Sequence, residues 1–438
     1  MNTPGTSAQV IVHWPEDASG RFRCDNWASL PFAHPAMISV VPISTSSQAI
    51  GYAQLLATDL SRAFLRMSPS AQPSICGGPG PVGCRGHRQP ASPCVLVLVG
   101  DGGPLSDYSG AVALWMSLLG TDPRYRIIPV CPPSGRSAMV AVLPSGIQYR
   151  NIYEWTRTPA DAVPPVLGAA EMVSRDYRVF ISYRREDGQQ HADDLFGALA
   201  YGGFDVFLDR VRIDPGAQIP DRIREELAHK SIVLVLETPL VYRSSWVDQE
   251  VAIAASSRLG ILAVHFPGGA RIASLSNRRR FVLNPKADYD GATDRLTKAG
   301  IDEIHRRVLE LHTFWLIRRR YQVQRALSNT LLQIGLTNQR MTASGILDVV
   351  PSWNPKTVCS IRTSPRMADL EDFRDLDGAT AVPDRWQLAV LAPGTFAGGE
   401  RQINMRWLSE KLKAGLFDES EMKRISNLLA RPTATELR

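Results

Sequence analysis

The chain is predicted to be an α/β protein built on parallel sheets, and three observations predict it. Short apolar runs such as Cys94–Val99 and Ile232–Leu236 lack the polar alternation of a strand with one wet face. These runs alternate with stretches whose apolar residues recur at helical spacing. The length of 438 residues, with 44% apolar content, is enough for two to four domains with buried cores.

Residues 1–33 show weak periodicity and are expected to form an arm or cap. An α/β domain follows at 34–165, with a strand at Ala36–Ile43 and a helix at Gly51–Met67 carried by Leu55, Leu56, Leu60 and Leu65. Ser68–Pro93 is rich in Pro, Gly and Ser and is expected to be a long loop. Cys94–Val99 is a buried strand, Gly110–Leu119 a helix and Arg126–Val130 another strand. A Pro-containing linker spans Pro159–Pro165.

The central domain is placed at 174–298. Its strands are Tyr177–Ser182, Asp205–Leu208, Ile232–Leu236 and Gly260–Phe266. Helices His191–Tyr201, Asp221–His229 and Ser245–Arg258 connect them, with a loop at Asp209–Pro220 broken by Pro215-Gly216. A helical brace at 299–343 contains two helices. The first is amphipathic through Ile301, Ile304, Val308, Leu311 and Trp315, and the second runs over Val323–Ile334. A small α/β region at 344–438 has strands at Thr357–Ile361 and Trp386–Leu391 and helices at Arg401–Ala414 and Glu419–Ala430. Cys94–Val130 and Ser231–Phe266 both run strand, loop, helix, strand, which suggests an internal duplication. In that alignment Tyr108 faces Trp246 and Val112 faces Glu250, so the N-terminal copy lacks the carboxylate.

The formal charge of +6 is small for this length. The clusters Arg278–Arg280 and Arg318–Arg320 are read as solvated surface, not as a nucleic-acid footprint. Six scattered cysteines show no disulfide framework, which fits a reducing compartment. No signal peptide and no apolar run of about 18 residues is visible, so a cytoplasmic protein without a membrane span is expected. Cys76, Cys84, His87 and Cys94 have irregular spacing for zinc, and no metal is expected. Gly100–Gly103 is too short for a phosphate loop, and His265 is read as a satisfied core histidine.

The candidate chemistry lies in Arg178–Phe266. Trp246 and Glu250 are four positions apart, so a helix places both on one face. A fixed carboxylate in the crevice of a parallel sheet can stabilise a sugar cation. Spacing alone makes Glu250 an ordinary exposed helix residue and Trp246 a core residue. Asp209 and Asp214 are read as turn formers.

An ordered series of motifs changes that balance: Phe180–Arg185, Gly203–Asp209, Pro215-Gly216, Ser231–Leu236 and Ser245–Glu250. The segment resembles the Toll/interleukin-1 receptor (TIR) domain, and its Trp-x-x-x-Glu pair resembles the NAD-consuming branch found among bacterial immune effectors. The resemblance implies a flavodoxin-like sheet, with a degenerate TIR-like fold for the N-terminal domain if the duplication is real. It implies Glu250 as the catalytic glutamate and Trp246, Tyr183 and Arg184 as residues bordering the substrate pocket. Asp209–Gly216 would be the loop that gates the pocket and mediates packing between domains.

The implied activity is cleavage of NAD+ to nicotinamide and ADP-ribose, or to a cyclic ADP-ribose. NAD+ is then a substrate and no cofactor is expected. Activation would come through self-association of TIR domains, triggered by an unknown ligand or protein, in prokaryotic anti-phage defence. The alternative is a non-catalytic TIR scaffold that mediates protein–protein assembly.

Overall fold

Parallel strands need crossover connections, and this chain supplies most of them as helices. A computed structural model describes residues 7–15, 22–31, 36–44, 46–67, 72–74, 94–101, 125–133, 135–143, 152–155, 157–170, 172, 177–208, 226–227, 229–341, 346–354, 356–366, 368–377, 385–390, 400–411 and 414–430. The chain forms two compact units. The first comprises Met1–Val173, Gln324–Asn329 and Thr337–Val349; the second comprises Ser174–Val323, Thr330–Leu336 and Val350–Arg438.

The first unit contains strands β1 (Ser7–Pro15), β2 (Phe22–Pro31) and β3 (Ala36–Pro42), helix α1 (Ser47–Met67), then β4 (Gln72–Ser74), β5 (Cys94–Val99) and β6 (Tyr125–Cys131). Helix α2 (Arg136–Val142), β7 (Tyr153–Glu154) and helix α3 (Val163–Ala169) follow. The sheet order is β4-β2-β1-β3-β5-β6-β7, with β3, β5, β6 and β7 parallel. Helix α1 buries Ala49, Ala53, Leu56, Leu60 and Phe64, at spacings of three and four.

Three expectations need correction here. The arm expected over residues 1–33 carries β1 and β2, an antiparallel pair inside the sheet. The register shift opposite Val10 and Ile11 places the extra residue, Trp27, in β2 and breaks the two-residue period of that strand. The loop expected over Ser68–Pro93 contains β4, which pairs with β2. The linker expected at Pro159–Pro165 is helical, because proline suits first-turn positions and Thr158 and Asp161 form a capping box. Tyr108, Val112 and the helix expected at Gly110–Leu119 lie outside the described residues. The strand beside β3 on its far side is β1, which precedes it in the chain.

In the second unit, β8 (Arg178–Ser182), helix α4 (Arg185–Tyr201), β9 (Asp205–Leu208), β10 (Ile232–Glu237), helix α5 (Ser245–Ser256), β11 (Gly260–His265) and β12 (Arg280–Val282) build the central domain. All five strands are parallel, in the order β12-β11-β10-β8-β9. In chain order this is 2-1-3-4-5, the flavodoxin-like arrangement. One face packs Val179, Ile181, Leu234, Leu236 and Val264 against α4. The other packs Phe180, Phe207, Val233 and Val235 against α5. A short pair, β13 (Tyr289–Asp290) and β14 (Arg295–Leu296), follows.

A single helix, α6 (Lys298–Gln333), replaces the two helices expected in the brace. Nothing breaks it at Arg318–Gln322, since buried residues continue through Leu316, Val323, Leu327 and Leu331. Its first turns belong to the central domain: Ile304 and Val308 complete the core on the α4 face. Trp315 Nε1 donates to the Arg258 carbonyl at 2.7 Å.

Strands β15 (Gln339–Met341) and β16 (Ile346–Val349) pair antiparallel in the first unit. The second unit ends in β17 (Val358–Thr363), α7 (Leu370–Asp377), β18 (Arg385–Val390), α8 (Glu400–Lys411), β19 (Gly415–Phe417) and α9 (Met422–Ala430), with β17, β18 and β19 parallel. Ion pairs hold this region to the central domain: Arg178 to Asp369 at 2.9 Å, and the buried Arg319 to Glu419. No helix among the described residues is long and apolar enough to cross a membrane.

Two histidines are built into the central core. His191 stacks on Phe266 with centroids 4.4 Å apart, and His305 meets Phe204 edge-on at 5.7 Å. Burial holds both imidazoles below their ordinary value, and at His191 the nearby Asp294, Asp194 and Asp187 oppose it. The unfolded chain therefore takes up protons at pH values where the folded domain does not. Stability is full above about pH 6.5 and falls as pH drops below it towards the lowered folded values. Denaturant unfolding of the full chain between about pH 7.5 and about pH 5 should show this slope, reduced in His191→Gln. An identical slope in the variant contradicts the assignment.

Candidate active site

Strand β8 has β9 on one side and β10 on the other, and the chain reaches them by crossovers in opposite directions. This reversal marks the carboxyl ends of β8 and β10 as the switch-point crevice of the sheet, where open parallel sheets bind ligands. Ser182 is the last residue of β8 and pairs with Val235 of β10. Helix α5 approaches the same end. Its start is fixed by Ser244, whose hydroxyl accepts from the Val247 amide at 3.4 Å. Val247, Val251 and Ala254 anchor the helix on the sheet.

This packing carries Glu250 inward, leaving it only 5% exposed. Ser182 Oγ donates to Glu250 Oε2 at 2.5 Å. The structure thus corrects the exposed-helix reading of Glu250. It also corrects the core reading of Trp246, which is 45% exposed one turn earlier on α5.

Tyr183 is placed differently from Glu250. Successive strand residues point to opposite faces. Phe180 lies on the α5 face with Glu250's partner Ser182, whereas Val179, Ile181 and Tyr183 join the core on the α4 face. Tyr183 is 7% exposed, beside Gly188, where a Cβ would meet its ring at 3.5 Å. Arg184 is the residue before α4, and its Nε pairs with Glu186 at 2.8 Å while Nη1 is buried with no hydrogen-bond partner. Asp209 and Gly216, with the whole Asp209–Gly216 loop, lie outside the described residues.

Three residues close to the crevice had no assigned role in the sequence. Ser182 stood inside the first motif. Asp187, in the first turn of α4, accepts from the Leu240 amide at 2.7 Å and ties that helix to the segment leading into α5. Glu237, fully buried at the end of β10, accepts from Arg280 Nε at 2.8 Å and from the Ile272 amide at 2.9 Å, and lies 3.1 Å from His265 Nδ1. Arg280 also donates to the carbonyls of Ile272 and Leu275, so this ion pair folds residues 266–280 against the sheet end. The only sequence signal for Glu237 was an acid closing an apolar run.

The arginine clusters therefore need correction. Arg280 and Arg319 are buried in ion pairs with Glu237 and Glu419 rather than solvated. Among the described residues no group of His, Cys, Asp and Glu could hold a metal ion.

A parallel 2-1-3-4-5 sheet with helices on both faces defines a flavodoxin-like α/β domain. The sequence profile of the TIR domain matches residues 179–297, and that segment is a TIR domain. The NAD(+) hydrolase sarm1 of Drosophila melanogaster is 31% identical over 101 residues, covering 22% of this chain and 7% of the fly protein. The chain thus spans a small part of that relative's length. Among solved structures, the TIR domains of the activated Roq1 resistosome directly recognizing the pathogen effector XopQ align at 18% identity, with a TM-score of 0.20, over 32% of this chain and 83% of that one.

The Glu237–Arg280 pair generates a test. Arg280→Met strands a buried carboxylate and should cost about 3–5 kcal/mol. Arg279→Met, at an exposed neighbour, should change stability by less than about 0.5 kcal/mol. Denaturant unfolding of both full-length variants measures the difference, and equal small losses would contradict the anchoring role.

Proposed function

We propose that the TIR domain hydrolyses NAD+ to nicotinamide and ADP-ribose, with Glu250 as the catalytic residue. The observation that carries this reading is the Glu250 carboxylate, buried beside the switch-point crevice and hydrogen-bonded by Ser182. The fly relative's name, that of an NAD(+) hydrolase, supports the same substrate.

The chemistry needs one acid. The nicotinamide of NAD+ is a pyridinium, so it leaves as a neutral base when the C1′–N bond breaks and takes the bonding electrons with it. Positive charge then develops on the ribose, and a fixed carboxylate beside it stabilises the transition state. Water captures C1′ and releases a proton, giving ADP-ribose. Capture by an atom of the adenine in the same molecule gives a cyclic product instead.

Trp246, exposed one helical turn before Glu250, offers a flat apolar surface to an aromatic ring of the substrate. Arg184 offers a charge-assisted contact to a phosphate. Tyr183 supports the crevice from the opposite face. In this reading the chain is a cytoplasmic effector of prokaryotic anti-phage defence. An unidentified ligand or protein triggers it by assembling TIR domains and ordering Asp209–Gly216; this part rests on the motif resemblance.

Glu250→Gln keeps the volume and removes the charge. It should fold normally and lose at least about a hundred-fold in nicotinamide release, measured by chromatography on the full chain at high concentration or with a crowding agent. Equal turnover by wild type and variant would refute the assignment. Absence of nicotinamide release by wild type under every assembling condition would favour a scaffold.

A further inference from the structure

The geometry points to Ser182 as a positioning residue for Glu250, an inference that rests on the proposed hydrolase reading and adds a second residue to it. Ser182 closes β8 and is 1% exposed. Its strand is hydrogen-bonded on both sides, to β9 and to β10, and its own register partner is Val235. The backbone at Ser182 is thus held in the sheet through β10, one residue beyond the last pair with β9, and anchors the hydroxyl it carries.

The hydroxyl has one exchangeable proton, and it is donated to Glu250 Oε2 at 2.5 Å. Phe180, two residues earlier on the same face, is apolar and packed into the core with Val247 and Val251 of α5. A serine rather than an apolar residue at this buried position costs stability unless its hydroxyl is paired. The pairing it has chosen is with the one carboxylate that the reaction requires.

A glutamate has three rotatable side-chain bonds, so burial of the helix alone does not fix where its oxygens point. The Ser182 hydroxyl supplies one such restraint. It couples the carboxylate on α5 to strand β8, 68 positions earlier, so that the charge is aligned before the ribose cation forms. Preorganised charge of this kind stabilises the transition state without rearrangement at the moment of reaction.

The experiment is steady-state NAD+ hydrolysis by the full chain, under the same assembling conditions, for Ser182→Ala, Ser182→Thr and Glu250→Gln. Ser182→Ala should lower kcat by about ten- to a hundred-fold while KM moves less than about threefold. Ser182→Thr keeps the hydroxyl and should recover most of kcat. The thermal midpoints of both Ser182 variants should stay within a few degrees of wild type. A wild-type kcat in Ser182→Ala overturns the positioning role, as does a loss that Ser182→Thr fails to restore or one that merely tracks a lowered thermal midpoint. If Glu250→Gln hydrolyses NAD+ as fast as wild type, the hydrolase reading itself fails. If Glu250→Gln is inactive while Ser182→Ala is fully active, only the role of Ser182 fails.

Discussion

The parallel pairing of β8 with β10 is the constraint on which the site depends. Because β9 lies on the other side of β8, the connections leaving β8 and β9 run in opposite directions across the sheet. The connections leaving the neighbouring strands β8 and β10 run to opposite sides, to β9 and to β11, and this reversal marks the switch-point crevice where open parallel sheets bind ligands. Ser182 sits at the end of β8, and the helix that follows β10 brings Glu250 to it.

Polar groups buried around this end do the work of holding loops in place. Glu237 closes β10 as a fully buried carboxylate, and Arg280, the Ile272 amide and His265 surround it. Gly269 allows the chain to turn there, since a Cβ would lie 2.1 Å from the Glu237 carbonyl oxygen. At the opposite end of the sheet Lys230 is fully buried against Asp205 at 2.9 Å, and burial lowers its pKa. Among the described residues the two ends of one sheet thus carry different polar networks.

Much of the central domain was legible because strands buried on both faces appear as unbroken apolar runs, and Ile232–Glu237 and Gly260–His265 fall where those runs are. The spacing of Trp246 and Glu250 was legible as one helical face. The burial of Glu250 and the exposure of Trp246 were not, because they depend on how far α5 sinks onto Val233 and Val235 and not on the helix itself. The role of Ser182 was hidden for a related reason: its partner is 68 positions away. Arg280 and Arg319 looked like surface charge because local composition does not reveal a distant carboxylate. Strand β2 escaped notice where the bulge at Trp27 breaks its two-residue period.

The central claim is that the domain breaks the C1′–N bond of NAD+ through a ribose cation held by Glu250. The most direct measurement is the rate of nicotinamide release from NAD+ carrying deuterium at ribose C1′, compared with unlabelled NAD+. A cation-like transition state flattens C1′ and predicts slower release from the labelled substrate. Equal rates, with bond cleavage shown to limit turnover, would contradict the account.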